Sequence, residues 1–64
     1  MIEKYTVVRV LIGKCKGATG VVNRVDGENI NVFLKNCSIG IWFHVSELKK
    51  IGRVWQVSPW DTTT

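Results

Sequence analysis

Short runs in which apolar and polar residues take turns fill this chain, separated by clusters of Gly, Asn and Asp. Nowhere do apolar residues recur at three- or four-residue spacing long enough to make a helix. A chain with that pattern makes strands. Its 64 residues leave room for one domain with a thin core, because small chains bury a modest share of their unfolded surface. The apolar set leans on Val and Ile, whose branched side chains suit a pleated surface. Five short strands in so little chain hide their edges by curling into a barrel, so the expectation is an all-β fold.

The pattern predicts a first strand from Thr6 to Ile12, with Val8, Val10 and Ile12 on one face and Val7, Arg9 and Leu11 on the other. Gly13 to Thr19 reads as a loop and Gly20 to Val25 as the second strand. Val22 and Val25 differ in parity, which calls for a bulge or change of face near Asn23. Asp26-Gly27-Glu28-Asn29 is a tight hairpin turn, since Asp and Gly accept positive φ. Ile30 to Lys35 follows, with Ile30, Val32 and Leu34 opposite Asn31, Phe33 and Lys35. After the turn 36–40, Ile41 to Val45 puts Ile41, Phe43 and Val45 on one face and Trp42 and His44 on the other. Ser46-Glu47-Leu48 looks like one helical turn that Ser46 caps, and Leu48 to Ile51 a closing strand. Residues 1–52 therefore form the barrel. Residues 53–64 form either one more strand, since Arg53 to Val57 alternates, or an irregular tail, a boundary with a further domain being the other option for the run from Pro59 to Thr64.

The most specific segment runs from Val8 to Val25: an alternating strand, then Gly13, Lys14, Cys15, Lys16, Gly17, Ala18, Thr19 and Gly20, then the next strand. Three glycines so closely spaced let the loop turn sharply, and Lys14 and Lys16 project from a backbone whose N–H groups are accessible. That suits a phosphate-facing loop; the plain alternative is that the glycines serve barrel closure and the lysines are merely solvated.

This segment resembles the KOW motif, in which a strand enters a loop with Gly, then Lys-Gly, then a Gly opening the next strand; Gly13, Lys16, Gly17 and Gly20 hold those places. The resemblance is close over Val8 to Val25 and looser as far as Ile51. It implies a small five-stranded SH3-like barrel with a KOW-type loop and an irregular C-terminal tail. It also implies contact with nucleic acid or its machinery, as in ribosomal, transcription-elongation and phage or bacterial DNA-associated proteins, although some such barrels bind proteins. Cys15 departs from the pattern, where a polar or basic residue is expected, and the aromatic tail with Trp55 and Trp60 lies outside it.

Charge agrees with that implication. Nine Lys and Arg against five Asp and Glu give a net charge of +4, and no acid falls between Glu3 and Asp26, a window that holds Lys4, Arg9, Lys14, Lys16 and Arg24. One-signed segments attract polyanions. The candidate nucleic-acid contacts are Arg9, Lys14, Lys16, Arg24, Lys35, Lys49, Lys50 and Arg53, with Trp42 as a stacking residue and Gly13, Gly17 and Gly20 shaping the loop. The implied ligand is DNA or RNA.

Phe33, Trp42 and His44 share the outward parity of neighbouring strands beside Lys35, a surface on which bases stack. The alternative is that Trp42 covers a barrel end or packs under the tail. Phe33, Trp42, Trp55 and Trp60 together make the alternative reading, an apolar face for a protein partner. His44 has no second His, no Cys at ligand spacing and no evident carboxylate partner, so it reads as structural or surface. No nucleophile and base can be paired by spacing, so the expectation is a binding module, not an enzyme, with no cofactor and no metal. Cys15 and Cys37 read as free thiols, too few for a disulfide framework or a zinc site, with one Cys15–Cys37 disulfide as the alternative. No apolar run approaches the roughly 20 residues that span a bilayer and no signal peptide is evident, so no membrane role is expected. The expected location is cytoplasmic, with nucleoid or ribosome association.

Overall fold

The computed structural model describes residues 2–35 and 37–57. Five strands form one antiparallel sheet: β1 (Thr6–Val10), β2 (Thr19–Asp26), β3 (Asn29–Leu34), β4 (Ile41–His44) and β5 (Leu48–Arg53), in the order β4-β3-β2-β1-β5. β1 to β4 are runs of alternating or β-branched residues, whereas β5, Leu-Lys-Lys-Ile-Gly-Arg, is not. The parity expected of β3 and β4 holds. Ile30, Val32 and Leu34 are buried and Phe33 is exposed, while in β4 Ile41 and Phe43 are half-buried and Trp42 and His44 exposed.

β1 stops two residues before the expected end. The Leu11 N–H leaves the ladder and donates to the Glu47 carbonyl at 2.8 Å, and Ile12, expected on the face of Val8 and Val10, is 56% exposed. The turn at Gly27, where φ is +61°, lets Asp26 pair with Asn29, as the sequence predicts. The bulge also falls where parity demands it. Val22 pairs with Val32 and Arg24 with Asn31, so Asn23 is the extra residue, and Val22 and Val25 keep the same side of the sheet. A second bulge, at Ile51, interrupts β5 between its pairings with Val7 and Val8.

Closure follows from the connection between the edge strands. In a flat sheet, four strand-to-strand steps of about 4.8 Å would leave β4 and β5 about 19 Å apart. Only the 3-10 turn Val45–Glu47 joins them, and three residues of 3-10 helix advance about 6 Å. The sheet must therefore curl. Two hydrogen bonds hold that corner, from Val45 N–H to the Glu28 carbonyl and from Leu11 N–H to the Glu47 carbonyl, both 2.8 Å. The turn begins one residue earlier than expected and its cap is His44, not Ser46. His44 Nδ1 accepts from the Ser46 N–H at 3.1 Å, while Glu47 Oε1 accepts from the His44 N–H at 2.9 Å. These are the two reciprocal bonds of a capping box.

Inside the curl, Val8, Val10, Val22, Ile30, Val32, Leu34 and Leu48 form the core, and Cys15, Cys37, Ile41, Phe43 and Val45 pack against its margin. Complete burial of a side chain such as Ile30 contributes about 1.5–3 kcal/mol. Cys15 and Cys37 are free thiols. Val7 points to the outer side yet is 1% exposed. Its cross-strand neighbours are Val21 and Gly52, and Val57 lies against Gly52. The alternation from Arg53 to Val57 does not make a further strand. β5 ends at Arg53, the Val54 N–H donates to the Tyr5 carbonyl at 3.0 Å, and the Gln56 and Val57 N–H groups return to the Arg53 carbonyl in a turn. The expected irregular tail beyond Val57, with Trp60, lies outside the described residues.

Candidate nucleic-acid interface

The loop between β1 and β2 bends as its glycines require. Gly13 and Gly17 have φ of +84° and +89°, values an L side chain rarely adopts. The Lys16 N–H donates to the Gly13 carbonyl, the Ala18 N–H to the Cys15 carbonyl, and the Gly17 N–H back to Val10 at 2.8 Å. Lys14 and Lys16 are exposed on this double turn. Gly20 has a different reason to be glycine. Its φ is unexceptional, but a Cβ there would lie 2.5 Å from the Phe33 carbonyl oxygen and 2.7 Å from Val32, so what the position needs is space.

Three rows of side chains cross the outer face of the sheet. The first is basic: Lys49 pairs with Arg9, and Arg9 with Thr19. Lys35 leaves the sheet just past Leu34, the partner of Gly20. The second row is apolar, from Gly52 through Val7 and Val21 to Phe33. The third runs from Arg24 through Asn31 to Trp42. Row spacing is two residues along a strand, about 7 Å. Lys14, Lys16, Arg9, Lys49 and Lys35 thus gather where the loop leaves the sheet, and among the described residues none of them is in an ion pair.

The other candidates sit apart. Arg24 lies beyond the bulge, in the row of Trp42. Lys50 stands across from Val8 on the edge strand. Arg53 is engaged within the molecule: its guanidinium forms an ion pair with Glu3 and lies over the Trp55 ring, 5.3 Å from the centroid. Its charge is already answered within the molecule. His44 does have a carboxylate partner, Glu28 Oε1, at 3.4 Å from Nε2. The sequence concealed this because residues 28 and 44 meet only through the β3–β4 register. Sequence reading also missed Asn31, which is 8% exposed, accepts from Asn23 Nδ2 at 3.3 Å, and lies so close to Gly40 that a Cβ there would stand 1.9 Å from its Oδ1. The only signal available was an amide on the same parity as two aromatic rings.

Trp42 is 50% exposed and Phe33 39%. Asn31 faces Trp42, so Phe33 is two residues from that pairing and the two rings are diagonal neighbours on one face. Among the described residues, no group of His, Cys, Asp and Glu is placed to hold a metal ion, and no helix is long and apolar enough to cross a membrane.

No protein-family model matches the chain, and no curated protein does. Among solved structures it is similar to a chain in the crystal structure of the MjSpt4:Spt5 complex, conformation B, with a TM-score of 0.78 and 33% sequence identity over 83% of its own length. The match spans 39% of that other chain, well under two thirds of it.

Proposed function

We propose that this chain, a KOW-motif domain of SH3-like fold, is a non-catalytic module of the transcription machinery that binds nucleic acid mainly through phosphates, with weak sequence selectivity and in a cytoplasmic setting. The observation that carries the reading is the gathering of Lys14, Lys16, Arg9, Lys49 and Lys35 around one loop without a paired acid among the described residues. A cluster of solvated cations releases counterions from a polyanion, whatever its sequence. The resemblance to KOW domains and the likeness to a chain of the Spt4:Spt5 complex support the transcription setting.

The test is a salt-titrated anisotropy measurement on duplex DNA, single-stranded DNA and RNA. If all five cations meet phosphates, log K falls against log salt with a slope of about −4.5 on B-DNA. Changing Lys14→Glu with Lys16→Glu flattens that slope by about 2 and weakens every sequence alike. Absence of binding to all three ligands at low salt overturns the reading.

A second reading, a protein-interaction module, is favoured by the exposed Phe33, Trp42 and Trp55 and by the fact that the similar structure is itself a protein–protein complex. Here the charge steers association and the rings supply contact area. A partner retained in a pull-down after nuclease treatment supports it, and loss of all partners with the nucleic acid rejects it.

A further inference from the structure

We infer that Trp42 and Phe33 form a stacking platform for single-stranded nucleic acid, with Arg24 and Lys35 as its flanking phosphate contacts; this rests on the nucleic-acid reading above and names the form of ligand. Trp42 is surplus to the core. Ile41 and Phe43, on the same strand, face inward against the buried cluster, while Trp42 stands half exposed on the opposite face. A ring that size, left in water on an edge strand beside a second exposed ring, has unspent contact area.

One residue beside the rings is held before any ligand arrives. Asn31 lies between Arg24 and Trp42 and is locked from two sides, by the hydrogen bond from Asn23 and by the close approach of Gly40. Both hold the residue that stands beside Trp42 in its row. Preorganisation of this kind lowers the ordering cost of binding.

Charge gives the surface a direction. Arg24 stands in the row of Trp42, and Lys35 lies two residues past Phe33, just beyond the end of β3. Neither is ion-paired among the described residues. On the far side of the Trp42 row comes the row of Asp26, Asn29 and His44, with Glu28 on His44. Those carboxylates repel phosphates. A bound strand therefore runs from Arg24 and Trp42 past Phe33 towards Lys35 and the basic row of Arg9 and Lys49, away from the hairpin tip.

The rings select single strands because bases in a duplex are already stacked on each other and offer only their edges. An unpaired base can lay its face on an aromatic ring. Two rings, diagonal across neighbouring strands, receive two bases.

The experiment measures anisotropy on a labelled single-stranded RNA 12-mer, a single-stranded DNA 12-mer and a 12-base-pair duplex, with the wild-type chain, Trp42→Ala, Trp42→Leu, Phe33→Ala, and the Lys14→Glu/Lys16→Glu double variant. Trp42→Leu keeps apolar bulk and strand propensity without the π face, so a fold lost in Trp42→Ala does not confound the result. Expected is a loss of single-strand affinity of about 5- to 150-fold for either Trp42 variant, with duplex affinity within about twofold and the salt slope unchanged. The double lysine variant weakens strand and duplex together. If the Trp42 variants bind single strands as the wild type does, or lose strand and duplex equally, the platform is refuted while the lysine result still upholds phosphate binding. If the wild type binds nothing, both readings fall. If only a nuclease-resistant protein partner is lost with Trp42, the face belongs to a protein and the platform is again refuted.

Discussion

Replacing Gly20 with alanine adds one methyl group at a place where the barrel has no room. The new Cβ would stand 2.5 Å from the Phe33 carbonyl oxygen, 2.7 Å from Val32 Cγ1 and 2.9 Å from Leu34 Cδ2. All three neighbours are held, the first as backbone in the β2–β3 ladder and the others as buried core. β3 must move away, and overpacking of this kind costs about 1–3 kcal/mol. A domain of this size has a total stability of about 3–10 kcal/mol, so the loss is a large share of it. At about 4–8 °C per kcal/mol, the midpoint falls by about 4–24 °C. Gly17 supplies the control. Nothing lies within 4 Å of its Cβ position, but its φ is +89°, so Gly17→Ala costs about 1–2 kcal/mol from left-handed strain alone. Asparagine tolerates that conformation, so Gly17→Asn recovers most of the loss whereas Gly20→Asn deepens it. Urea titrations followed by tryptophan fluorescence, with m unchanged, give the four values. A Gly20→Ala variant as stable as the wild type, or an asparagine that helps at position 20, refutes the assignment of space to Gly20 and backbone angle to Gly17.

Gly40→Ala pushes its Cβ onto Asn31 and costs about 1–3 kcal/mol, but the combination with Asn31→Ala costs at least about 0.5 kcal/mol less than the two separate losses; additive values in a double-mutant cycle contradict the contact. Arg53→Ala removes the exposed Glu3 ion pair, lowers stability by about 0–1 kcal/mol and leaves the salt slope of nucleic-acid binding unchanged, which a titration on duplex DNA checks. Glu47→Ala removes the acceptor of the His44 N–H at the β4–β5 corner and lowers stability by about 0.5–2 kcal/mol; an unaltered urea midpoint shows that the corner does not need its cap.

Much of the architecture was local and therefore legible. The parity break between Val22 and Val25 required a bulge at Asn23, and Asp26-Gly27 required a hairpin, because a strand's side chains alternate and positive φ is confined to few residues. The inward sets of β3 and β4 followed from the same alternation. Where reading failed, a distant partner had decided the outcome. β1 ends at Val10 because Glu47 captures the Leu11 N–H, and the run from Arg53 turns because Val54 donates to Tyr5. Arg53 reads as an available cation in the sequence, yet its guanidinium pairs with Glu3, fifty positions away.

The candidate interface divides along the same line. Residue types, glycine spacing and the excess of cations were properties of the chain, and they determined that a basic, sharply bent loop would leave a sheet. Which cations stand together, and that Trp42 shares a row with Arg24 and Asn31, was decided by tertiary structure. Register between strands is set by the burial of a whole face and by bulges at particular residues, a balance of contacts between positions far apart that no single stretch of sequence contains.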